Sequence, residues 1–378
     1  MLKQQELRKR RSWLYPLRFL KRIDWILLLI IMVLMLGSII TLKSSAGSDG
    51  IITRQLLRFL AGFMVFFTIL ALPVKQLRRF TPLLYILTIS LLFLVLFVGT
   101  DAGGARRWLN LGFMRLQPSE IAKLTVPMMV AWYLSRLEQA PNFIQVLISL
   151  LIIAIPFYAI VVEPDLGTSL LVGVSGVIAL FLAGLPIWMM ASGGVLVAIA
   201  LPLFWQFGIK DYQRERVLTL FNPEADPWGA GYHIIQSKIA IGSGGLEGKG
   251  FMQGTQSQLE FLPESSTDFI FAVIAEEHGL IGVSLLLLLY GLLVLRGLYL
   301  GTKLTDRFAR ITVGTIFFTF FLNVFVNIGM VSGILPVVGL PLALISYGGS
   351  SVLSIMAGFA LAMSLVHWYQ YRQVQEYL

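Results

Sequence analysis

The side chains best placed to do chemistry in this sequence are carboxylates set among long apolar stretches, where acids are costly and are kept for function or a paired structural role. Asp268 heads an apolar run within FLPESSTDFIFAVIAEEHG, residues 261–279. Ser266 or Thr267 can cap the helix that follows, with Asp268 as its early-turn negative charge. The other reading is that the first turns line a watery cavity, where Asp268 can act as a base. Glu163 and Asp165 bracket Pro164 in EPDLGT. Proline breaks the helix and an acid can cap the next one, yet one carboxylate would be enough for that. Glu120 follows Pro118 and Ser119, and Lys123 lies three residues on, on the same helical face. Two readings stay open there: a self-satisfied ion pair at a helix start capped by Ser119, or a functional pair.

Other chemistries lack their residues. The chain has no cysteine, which excludes thiol nucleophiles and disulfides. Its three histidines (His233, His278 and His367) are too scattered for a zinc set and read as interfacial or packed imidazoles. The stretch Gly242–Gly250, GSGGLEGKG, resembles a phosphate-binding loop only loosely: Ser243 stands where that motif requires its first glycine and Gly250 where it requires Ser or Thr. Its glycines read as tight turns and close backbone approach.

The elements that must position these residues are membrane helices. Hydrophobic residues make up 57% of the chain and charged ones 13%, against roughly a quarter charged in soluble domains. Ten apolar runs approach or reach the length that crosses a bilayer: Trp25–Leu42, Leu56–Leu72, Leu83–Val98, Ile121–Leu137, Phe143–Val162, Leu166–Ala183, Ile187–Phe207, Phe269–Leu300, Ile311–Val331 and Val352–Trp368. The fold class expected is therefore an all-α polytopic membrane protein. A basic, interfacial segment at 1–22 precedes a ten-helix domain at 23–368, and a tail at 369–378 follows; the first run is too long for the core of a cleaved signal peptide. Basic residues cluster before the first run (Arg8 to Arg11, Lys21, Arg22), at Lys75–Arg79 and at Arg296–Arg310, so both termini are expected to be cytoplasmic. The net charge of +9 reads as topology and anionic-lipid contact, with no nucleic-acid partner. The same alternation sends residues 99–118, the Glu163–Asp165 corner, the large loop at 208–267 between the seventh and eighth runs, and residues 332–351 to the outer face. No internal repeat supports an inverted-repeat transporter. The eighth run, if one helix, would be about 50 Å long, more than the roughly 30 Å apolar core.

These segments, in this order, resemble the shape, elongation, division and sporulation (SEDS) family of peptidoglycan glycosyltransferases over nearly the whole chain. The resemblance is carried by RRWL at 106–109, QPSE at 117–120, EPDLGT at 163–168, DYQRER at 211–216, residues 229–250, residues 261–279, Leu335–Pro336 and SYGGSS at 346–351. GTQSQLE at 254–260 looks like the elongation type, while Ser265–Ser266 departs from the bulkier pair commoner in relatives. The resemblance implies polymerisation of lipid II into glycan strands with inversion, at the periplasmic face of the bacterial inner membrane, in cell elongation and rod-shape maintenance. It implies Asp268 as general base and Arg106, Lys123, Arg214 and Arg216 as outer-face cations for the departing pyrophosphate, with Glu120, Glu163, Asp165, Ser266 and Thr267 around the substrate. A divalent cation, magnesium or manganese, could share the charge, held by Glu120 or Asp165. Lys123 and Asp165 could instead pair across helices and organise the cavity. Partners implied are lipid II, the nascent strand, a class B penicillin-binding protein transpeptidase and other elongation-complex proteins. Two readings compete: a lipid II flippase, and a non-catalytic scaffold for cell-wall enzymes.

Overall fold

The computed structural model describes residues 20–376, apart from 47–48, 103–104, 111, 113–114, 138, 209–210, 227–228, 260 and 263. Most of the expected basic N-terminal segment lies outside the described residues. The long helices are α1 (Trp25–Ala46), α2 (Asp49–Ala71), α3 (Val74–Val98), α4 (Pro118–Leu134), α5 (Phe143–Val162), α6 (Leu166–Leu182) and α7 (Ile187–Leu203), followed after an insertion by α11 (Ile270–Thr302), α12 (Arg307–Val331) and α13 (Ser350–Glu376). All ten expected runs are helical. Among the described residues eight are long and apolar enough to cross a membrane; α6 is a shorter apolar helix, and α4 has 17 residues. The last helix runs to Glu376, so the residues assigned to a tail continue α13 rather than leaving it.

Helix ends fall where local chemistry predicts. Pro73 stands between α2 and α3, Gly184 and Pro186 between α6 and α7, and α5 opens on a capping box in which Asn142 and Gln145 each satisfy the other's backbone N–H. Pro82, Pro127, Pro156 and Pro202 sit inside helices, which packed membrane helices tolerate because neighbours re-satisfy the freed carbonyls. Helix α4 packs against α3, α6 and α12, and α13 against α2 and α12; together they bury the core around Phe66, Phe308, Phe317 and Phe359. By contrast α7 buries no residue at all. A helix apolar on every face yet uncovered requires lipid around it.

Two expectations change. The fold is not purely helical: the link between α3 and α4 forms a small antiparallel sheet in the order β1 (Thr100–Ala102), β2 (Ala105–Asn110) and β3 (Arg115–Leu116), in which the strands satisfy backbone amides by pairing with one another. The large loop is also folded, with α8 (Asp211–Phe221), a 3-10 turn at Pro223–Ala225, α9 (Ala230–Ser243) and the single turn α10 (Thr255–Gln258); α9 packs on α11.

Nor is α11 one unbroken rod. Gly279 has φ 59° and ψ −160°, a conformation in effect reserved to glycine. The break frees backbone groups on both sides, and the glycine-rich stretch fills them. Lys249 N–H donates to Glu276 O (3.0 Å), Gly250 N–H to Glu277 O (3.0 Å), Leu280 N–H to Gly245 O (2.9 Å) and Ile281 N–H to Leu246 O (3.1 Å). A Cβ on Gly279 would lie 2.4 Å from Gly248 N. The close approach read from the glycines is thus to the chain's own helix.

Candidate active site

Asp268 sits just before α11, in turns at 264–269 that are held from behind by the irregular stretch after α12. Asn327 Nδ2 donates to Asp268 O (2.9 Å) and to Leu340 O (2.6 Å). Ser346 Oγ donates to Thr267 O (2.5 Å), and Tyr347 N–H to Ser266 O (2.9 Å). These bonds tie SYGGSS to the residues beside the acid, though the two lie far apart in sequence. Neither Ser266 nor Thr267 caps α11, whose N-cap is Phe269 with no side-chain bond. Thr267 Oγ1 turns instead to Glu264 Oε2 (2.6 Å).

A cavity of about 460 Å³ opens over Asp268, lined also by Arg216, Glu264, His233 and Asp226. Burial raises the Asp268 carboxyl to a pKa of about 6; Glu264 and Asp165 push the same way, while Arg216 and Arg107 oppose them. At neutral pH Asp268 is therefore mostly ionised yet basic enough to accept a proton. His233 stacks on Phe269, with ring centroids 5.5 Å apart. That agrees with its reading as a packed imidazole, while also setting it in the cavity wall.

The Glu-Pro-Asp corner explains its two acids. Asp165 is the N-cap of α6, its Oδ1 accepting from Thr168 N–H (3.1 Å) and its Oδ2 from Gln117 Nε2 (3.0 Å). Glu163 is 1% exposed, and neither carboxyl oxygen has a hydrogen-bond partner. Burial, with Asp165 adding and Arg107 opposing, raises its pKa to about 8. Glu163 is therefore mostly protonated at neutral pH.

The cations sort by side. Arg107, part of the RRWL motif but not among the expected site residues, donates to the carbonyls of Glu163 (3.4 Å) and Pro164 (2.5 Å) and acts on Asp268. Arg106, its strand neighbour, points to the other face and is exposed. Along α8, Arg214 and Arg216 are two residues apart, about 200° around the helix. Arg216 lines the Asp268 cavity, and Arg214 bonds Trp205 O (2.7 Å) on another side. Lys123 pairs with Glu120 (2.6 Å), whose second oxygen accepts from Ser354 Oγ (2.9 Å). The ion-pair reading of that helix start holds, whereas Asp165 is bonded elsewhere. Ser119 is not the cap, which is Gln117, and its hydroxyl is buried without a partner. Glu120 and Asp165 are each engaged on both oxygens, and no group of three or more His, Asp or Glu converges among the described residues. The residues present thus make no preformed cradle for a divalent cation.

Fold and site together define a polytopic helical membrane protein with an ionisable carboxylate and cations in a cavity at one end of its helices. The chain belongs to the FtsW/RodA/SpoVE family of cell cycle proteins, whose family model matches residues 18–371. It is 49% identical over 344 residues to the peptidoglycan glycosyltransferase MrdB of Escherichia coli strain K12, covering 91% of this chain and 93% of that one. It is 36% identical over 310 residues to the probable peptidoglycan glycosyltransferase FtsW of Aliivibrio salmonicida, covering 79% and 75%. Among solved structures it resembles a chain of a peptidoglycan synthase complex that coordinates polymerization and crosslinking, with TM-score 0.81 and 33% identity over 92% of this chain and 98% of that one. It also resembles the rod shape determining protein RodA of Thermus thermophilus, with TM-score 0.70 and 29% identity over 92% and 97%.

Proposed function

We propose that this chain is a peptidoglycan glycosyltransferase that polymerises lipid II into glycan strands during cell elongation, with Asp268 as general base. The single observation that carries the site assignment is the Asp268 carboxylate, raised to a pKa of about 6 in a cavity it shares with Arg216. Membership of the family and 49% identity to a glycosyltransferase support the reaction class. The acceptor sugar's 4-hydroxyl attacks the donor's anomeric carbon, and its proton passes to an Asp268 carboxylate oxygen. The bond from that carbon to the lipid pyrophosphate breaks, and the electron pair leaves with the pyrophosphate. Attack from the opposite face inverts the centre without a covalent glycosyl-enzyme. Arg216 offsets charge developing on the leaving group, and Arg107 holds the Glu-Pro-Asp corner.

The reading includes ten membrane passes in the inner membrane, cytoplasmic termini and a periplasmic cavity, supported by the distribution of basic residues. The absence of cysteine makes the topology open to single-cysteine labelling: Glu224→Cys should react with an impermeant maleimide from the periplasm and Lys303→Cys only after permeabilisation. The partner would be a class B penicillin-binding protein supplying transpeptidation, as expected from the likeness to a synthase complex.

Labelled lipid II and purified protein in detergent, where no second compartment exists, test the reaction itself. Glycan polymer should form with the native chain and fall about 10²–10⁴-fold with Asp268→Asn. No polymer from the native chain would favour the flippase or scaffold; undiminished polymer from the variant would remove the base assignment.

A further inference from the structure

The end of α11 remote from Asp268 carries a second, unlike cleft. Its volume is about 300 Å³, and it is formed where residues 21–24, just before α1, meet the C-terminal parts of α11 and α13. Lys21, Arg22, Arg296 and Lys303 line it against one carboxylate, Asp24. Asp24 is committed twice, accepting from Arg296 Nη2 (2.7 Å) and, at its other oxygen, from Leu27 N–H (3.0 Å). Arg22 is anchored by donating to Leu70 O (2.7 Å) and Leu72 O (2.8 Å), which fixes its charge at the cleft without neutralising it. The Arg296 Nε–H is buried without an acceptor. Lys21 and Lys303 are exposed, with Lys303 set over the Tyr299 ring at 4.3 Å. The cleft is therefore a concave surface whose described lining carries four cations against one carboxylate.

We infer that this cleft binds the phosphate headgroup of an anionic phospholipid. A soluble phosphate would satisfy the same donors, but the two helices forming the walls expose apolar side chains in the adjoining turns. On α1 these are Trp25 (65% exposed) and Leu29 (58%), and on α11 Leu292 (46%) and Leu295 (66%). Acyl chains can lie along that surface while the phosphate meets the cations, the arrangement by which basic clefts between membrane helices take lipid headgroups. The inference needs only the membrane reading and stands apart from the chemistry at Asp268.

Purified protein in uncharged detergent is titrated with phosphatidylglycerol, phosphatidylcholine or inorganic phosphate while its melting temperature and lipid retention in native mass spectra are followed. Phosphatidylglycerol should be retained and raise the melting temperature, and the other two should not. Lys21→Gln/Lys303→Gln should weaken the lipid response about 30-fold, Lys21→Arg/Lys303→Arg should restore it, and Lys75→Gln/Arg79→Gln should leave it unchanged. Lipid-free melting temperatures report whether each variant is folded. An equal response to phosphatidylcholine would overturn the headgroup site, and an equal response to inorganic phosphate would replace the lipid by a soluble anion. Equal weakening in the Lys75/Arg79 control would reduce the effect to diffuse surface attraction.

Discussion

The proton affinity of Asp268 is set by a contest between burial, aided by Glu264, and the Arg216 guanidinium. A base with a pKa near 6 loses function as it is protonated, so kcat/KM for polymerisation should fall on the acid side with a midpoint close to that value. Arg216→Gln removes an opposing cation, and the acid limb should move to higher pH; an unmoved limb in the pH profile would separate Arg216 from Asp268. Stability runs the other way. A carboxyl whose folded pKa lies above its ordinary 3.8 favours the protonated fold, and that contribution is lost as pH rises through about 6. Asp268→Asn should therefore melt no lower than the native chain at neutral pH, with any advantage fading as pH falls toward 4. Melting curves at two pH values check this and distinguish lost chemistry from lost folding.

At the level of elements, the α11 break is the joint on which the site depends. The short arm from Ile270 to His278 follows directly from Asp268, and the glycine-rich stretch grips its far end through two backbone bonds, at Glu276 and Glu277, and the helix beyond the break through two more, at Leu280 and Ile281. Buried Glu276 adds a second grip, accepting from Lys249 Nζ (2.7 Å), Thr255 Oγ1 (3.2 Å) and Gln256 N–H (3.0 Å). Gly279→Ala meets both a glycine-only conformation and a backbone clash, so it should cost about 3 kcal/mol or more. Glu276→Ala, which removes the charge partner of Lys249 and the acceptor of Thr255 Oγ1 and Gln256 N–H, should cost about 3 kcal/mol. Thermal unfolding in detergent reads both, and a neutral Gly279→Ala would mean that the arm is not locked there. The Arg107 link acts likewise between β2 and the α5–α6 corner, with Arg107→Ala expected to cost about 2 kcal/mol.

Across the whole molecule, the two ends of the helix bundle differ in chemistry: one has carboxylates and arginines around a folded insertion, the other a basic cleft beside exposed apolar helix faces. The apolar spans, the helix ends at proline and glycine, and the kinds of side chain able to do the chemistry were legible in the sequence, because each follows from local composition and spacing. Asp268 and the Asp165 cap belong to that legible part. Which charges meet between elements was not legible. That Arg107 rather than Arg106 reaches the Glu-Pro-Asp corner and that Arg216 rather than Arg214 joins Asp268 depend on which face each element turns toward its neighbours, whereas the Glu120–Lys123 pair, three residues apart on one helix, was among the readings the sequence offered. Strand alternation and the 100° helical step say which residues part company, but only packing against elements distant in the sequence decides which of them points inward.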